Sequence, residues 1–143
     1  MTLTRTLRLL AAGLVLAGGL IHYDLWSGGY RFIPSIGPLF LANLVASVLV
    51  ALALLITGRP AILAAGVALT LGSLGALVAS RTVGLLGFTE SWTDQSFQVV
   101  AAEAAAVVAL AMVAALKTRN RPVLIPVPSQ APMAWKRPAP GLG

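Results

Sequence analysis

The chain has 143 residues, 58% of them hydrophobic and only 10% charged, with a mean hydropathy of +0.91 and a net charge of +6. Soluble domains carry roughly 25% charged residues, so this composition excludes a soluble globular protein and points to an integral membrane protein. The absence of Cys removes disulfides, thiolate metal sites and cysteine catalysis from consideration.

Four segments approach the roughly 20 apolar residues that cross about 30 Å of hydrocarbon. The first is flanked by Arg5 and Arg8 and continues as LLAAGLVLAGGLI, a pattern shared with secretory signal peptides. Ile21, His22, Tyr23 and Asp24 supply no small-x-small cleavage site after it, so it reads as a retained helix over about residues 4–23. Gly13, Ala17, Gly18 and Gly19 make it a packing helix, because small residues let backbones approach where lipid offers no hydrophobic drive for association.

A long loop over residues 24–38 is expected next. Tyr23, Trp26, Tyr30 and Phe32 have amphipathic rings suited to the headgroup layer, so the loop should fold back on the bilayer. Pro34 and Pro38 bracket Gly37, which is expected to lie outside any undistorted helix. The second helix covers residues 39–57 and carries one strong polar group, Asn43. Gly58, Arg59 and Pro60 then form a tight turn, with Pro60 at a helix start.

The third helix, residues 61–79, aligns Ala68, Gly72, Ala76 and Ser80 at spacings of four, a ridge expected to be a helix contact. A second long loop to Ser96 contains Arg81, Glu90, the interface residue Trp92 and a helix cap at Thr93 or Asp94. The fourth helix, residues 97–116, has Ala101, Ala105 and Ala109 on one ridge and Glu103 about six residues in. Six of the nine Pro fall at positions 122–140, which marks residues 118–143 as an extended or disordered basic tail.

The fold class is therefore all-α: a four-transmembrane-helix bundle in residues 1–117, followed by the Pro-rich tail. Arg5, Arg8, Arg59, Lys117, Arg119, Arg121, Lys136 and Arg137 fall on one side, and only Arg31 and Arg81 on the other. By the positive-inside rule both termini are cytoplasmic and both long loops face outward from the cell membrane. This bias also accounts for the net positive charge, so no nucleic-acid partner is expected.

Glu103 is the sharpest single signal, since an ionisable group inside a membrane helix is expensive and marks either a function or a buried partner. Asn43 and Arg81 are both within geometric reach. The residue thus reads as a structural clasp, as a proton-carrying or ligand-binding group, or as an acid exposed by tilt. His22 is the only His, and a single His argues against a metal or haem site within one chain; no metal and no cofactor are expected. Arg31 can contact lipid phosphate or pair with Asp24 or Glu90. No Ser-His-Asp set, phosphate-binding loop, dinucleotide fingerprint or HExxH occurs, so catalysis has no support in the sequence.

HYDLWSGGYRFIPSIGPLFLAN, GLLGFTES and AAEAAAVVALAMVAAL together resemble the small four-helix integral membrane proteins of unassigned function found in actinobacteria. Gly29 to Arg31, Ile33 to Pro34, Ile36 to Gly37 and Glu103 match that pattern. The resemblance covers about residues 5–117 and implies topology and lineage, with no activity attached.

Two functions follow as expectations. One is a non-enzymatic accessory or scaffolding subunit that packs with other membrane proteins, or with itself, through small-residue helix faces and an aromatic outer loop. The other is a protein handling a small molecule, ion or proton in an outward-facing pocket formed by Glu103, Asn43, Arg81, Arg31 and His22.

Overall fold

The computed structural model describes residues 3–119; the expected Pro-rich tail therefore lies almost wholly outside the described residues. Four helices, α1 (Leu3–Gly28), α2 (Ile36–Ile56), α3 (Pro60–Thr82) and α4 (Asp94–Arg119), are joined by short connections, the first of which contains a 3-10 turn, η1 (Tyr30–Phe32). Each α-helix is long and apolar enough to cross a membrane.

The helices overrun the expected spans. The 26 residues of α1 rise roughly 39 Å at 1.5 Å per residue, against about 30 Å of hydrocarbon. An apolar window measures the lipid core, whereas backbone hydrogen bonding persists until a residue breaks it. For α1 that residue is Gly29, whose φ of 147° is readily adopted only without a Cβ. The first connection is consequently confined to residues 29–35, much shorter than expected.

Gly37 and Pro38 lie inside the first turn of α2, contrary to expectation. Pro38 is tolerated there because the N–H it lacks would be unpaired in any first turn. Gly37 is required by close approach: a Cβ at this position would stand 2.9 Å from both Cα and the carbonyl oxygen of Arg31. The missing side chain lets η1 sit directly on the start of α2.

Each helix packs against its neighbours in sequence, and α4 closes the ring against α1, while α1 and α3 face each other across the diagonal and barely touch. The apolar core lies toward the α2–α3 turn and is built from Ala11, Ala12, Val15, Ala51, Leu54, Leu63, Ala106, Ala109, Leu110 and Val113. Lipid is as apolar as these side chains, so close packing rather than water exclusion holds them. Gly19 makes room for Ser47 of α2, and Gly66 for Leu110 of α4.

The anticipated small-residue ridges supply the contacts within this chain only in part: Gly18, Gly19, Ser80 and Ala109 are buried, and other members face outward. Gly13, Gly72, Ala101 and Ala105 are exposed and Ala76 is half-buried, and a Cβ on Gly13 or Gly72 would meet nothing within 4 Å. Ser80 shares the inward face of α3 with Leu63, Gly66, Thr70 and Ser73. Spacing by four identifies a stripe of small residues, but it does not say which way the stripe points.

Candidate functional site

The connections after α1 and α3 meet over the same end of the bundle. After α3, Leu85 and Phe88 exchange both backbone hydrogen bonds at 2.8 Å around Leu86 and Gly87, whose φ values of 51° and 81° are those of a tight hairpin turn. The chain then returns so that the Glu90 N–H donates to the Ser80 carbonyl at 3.1 Å. Thr93 caps α4: its hydroxyl accepts from the Ser96 N–H at 3.3 Å while Ser96 Oγ accepts from the Thr93 N–H at 3.2 Å. This reciprocal pair is a capping box with Ser in the usual Glu position, and it decides between the two caps considered from the sequence.

Arg81 ties these pieces together. Its guanidinium pairs with the Glu90 carboxylate and donates to Ser96 Oγ at 2.8 Å. Tyr30 of η1 donates to the same carboxylate, 2.6 Å from Oε1. Burial, reinforced by this anionic acceptor, pushes the Tyr30 hydroxyl up to about 12. The Arg81–Glu90 pair thus links α3, α4 and both connections.

Beneath this network is a cavity of about 110 Å³, floored and walled by His22, Phe40, Asn43, Ser73, Arg81 and Val99 among others. Of the five residues of the expected pocket, His22, Asn43 and Arg81 line this cavity and Glu103 does not. Arg31 is not among the lining residues; its guanidinium lies over the Phe32 ring at 4.7 Å and near Trp26 at 6.0 Å. The salt bridge expected of Arg31 is made by Arg81 instead.

Glu103 lies one helical turn inward from Val99. It is buried, 3% exposed, and meets neither Asn43, which accepts from the Ser47 hydroxyl at 3.2 Å, nor Arg81. Its neighbours are Gly18 of α1, where an added Cβ would stand 3.1 Å from Oε1, and the Ser73 hydroxyl of α3. Ser73 Oγ is also 3.1 Å from His22 Nε2, and His22 Nδ1–H donates to the Gly18 carbonyl at 2.8 Å. A polar chain His22, Ser73, Glu103 thus runs from the cavity floor across the bundle diagonal to the buried carboxyl.

The interface aromatics divide. Tyr23, Phe32 and Trp92 are exposed, with Tyr23 stacked on Trp26 and Trp92 on Phe97. Tyr30 turns inward against Phe40 and Phe88, with ring centroids at 5.0 and 5.9 Å. Sequence reasoning missed Ser73 and named Gly18 only as a packing residue. The available signal was the spacing of Thr70, Ser73 and Ser80, since hydroxyls in an otherwise apolar helix turn toward protein rather than lipid.

Among the described residues no group of three or more His, Cys, Asp or Glu could hold a metal ion. No protein-family profile, curated protein or solved structure matches the chain.

Proposed function

We propose that the protein is a multi-pass cell-membrane protein that takes up and releases a proton at Glu103 through the cavity at the loop end. The supporting observation is a buried carboxyl that has the Ser73 hydroxyl as a neighbour, with Ser73 Oγ itself 3.1 Å from Nε2 of the cavity-floor His22. A carboxylate in such a place with no cation beside it is costly. The three groups satisfy their hydrogen bonds in either of two charge states. With Glu103 protonated, its O–H donates to Ser73 Oγ and the Ser73 O–H donates to neutral His22 Nε2. If the Glu103 proton passes to Ser73 as the Ser73 proton passes to Nε2, the carboxylate accepts from Ser73 and the imidazolium donates to it. His22 then releases its proton into the cavity.

The core inward of Glu103, including Ala106, Leu110 and Val113, is closely packed and apolar, which favours exchange on one side over a through-channel. The test is proton release after a pH jump in lipid nanodiscs, followed with a pH dye. Glu103→Gln is expected to release one proton fewer per chain. If it releases the same number and only melts at a lower temperature, Glu103 is a structural clasp and the proposal fails.

The outward placement of Gly13, Gly72, Ala101 and Ala105 favours a second, compatible reading, an accessory subunit that packs with other membrane proteins or with itself. Its test is crosslinking in native membranes. A chain recovered solely as an uncrosslinked monomer contradicts it.

A further inference from the structure

The opposite end of the bundle, at the α2–α3 turn, gathers Arg5 and Arg8 of α1, Arg59, and Lys117 and Arg119 of α4. The whole chain contains four acids. Asp24, Glu90 and Asp94 belong to the loop end and Glu103 to the interior, so no Asp or Glu can neutralise this cluster.

Two of the cations converge on one point. A Cβ built on the buried Gly58 would stand 3.1 Å from Lys117 Nζ and 3.5 Å from Arg8 Nη1. Lys117 donates to the Gly58 carbonyl, which leaves two of its three N–H donors. Arg8 Nε is buried with no hydrogen-bond partner among the described residues. The first turn of α3 starts beside them with neither an acid nor a side-chain cap, and its partial positive charge adds to the field.

Like charges held together around an unpaired buried donor are unfavourable, and an anion between them removes both penalties. A guanidinium fork beside an ammonium matches phosphate oxygens. The turn directly follows Leu55 and Ile56, 48% and 82% exposed, which offer acyl chains an apolar surface that a free ion does not need.

We propose that Arg8, Lys117 and the Gly58 turn seat the phosphate of an anionic phospholipid. The site is independent of the proton-exchange reading and of the membrane orientation. Its test is native mass spectrometry of the full chain released from mixed phosphatidylglycerol and phosphatidylcholine nanodiscs, with melting in dodecyl maltoside measured in parallel with each lipid added. Phosphatidylglycerol should be retained preferentially and should raise the melting temperature, and phosphatidylcholine should do neither.

Arg8→Gln and Lys117→Gln should each lower phosphatidylglycerol retention about fivefold, as expected for roughly 1 kcal/mol per basic group. Equal retention of the two lipids by the wild type, or undiminished phosphatidylglycerol retention in the Arg8→Gln, Lys117→Gln double variant, overturns the proposal. Reproduction of the melting shift by inorganic phosphate overturns it in favour of a free-anion site.

Discussion

Single atoms decide much of the loop-end geometry. Gly19 faces Ser47 so closely that an added Cβ would sit 2.5 Å from the Ser47 Cβ. Gly19→Ala should therefore destabilise the bundle by about 1–3 kcal/mol, the usual cost of overpacking, in reversible unfolding from detergent or bilayer. Gly13→Ala, with open space around it, should be neutral or mildly stabilising, since Ala exceeds Gly in helix propensity by about 1 kcal/mol. Ser73→Ala should cost about 0.6–1.7 kcal/mol, the range for hydrogen bonds between membrane helices, and should uncouple His22 from Glu103 so that their titrations become independent. Glu103 stood out in the sequence because an acid in a membrane helix is conspicuous. Its neighbours Gly18 and Ser73 did not, because a small residue reveals its role only when the facing helix is known.

Between elements, the Glu90 carboxylate is the joint that holds the connections over the cavity. Replacing Arg81 by Met removes its pair with Glu90 and its bond to Ser96. Hydrogen bonds involving a charged group contribute about 1.5–3 kcal/mol, so the segment between α3 and α4 should gain backbone amide exchange while the amides of the α1–α4 core stay protected. Unchanged exchange in that segment would show that the hairpin at Leu85–Phe88 holds by itself. Tyr30 gives a pH signature for the same joint. Its hydroxyl is raised above the usual 10 to about 12, so its contribution to stability is complete below pH 10 and is lost as pH rises toward 12. An alkaline titration should show a tyrosine ionisation near pH 12, and Tyr30→Phe should remove that late step. The four spans were legible because apolar length is a direct physical readout of the bilayer. The connections were not, since positive-φ positions such as Ser35, Leu86 and Gly29 set a path that hydropathy does not record.

Across the whole molecule, two ends of opposite character are separated by a packed apolar core: a cavity with the acids at one, and cations without acids at the other. By the positive-inside rule the cavity end is expected to face out of the cell. With no Cys in the chain, Ser27→Cys should react with an impermeant maleimide on intact cells, and Thr118→Cys only after lysis; the reverse pattern would invert the topology. Proton exchange between the Glu103 carboxyl and the cavity, as proposed, is read directly by infrared difference spectroscopy across a pH step. A carbonyl-stretch band of a buried carboxylic acid should disappear as pH rises and be missing altogether in Glu103→Gln. A band that persists in the variant, or no such band in the wild type, would contradict proton exchange at Glu103.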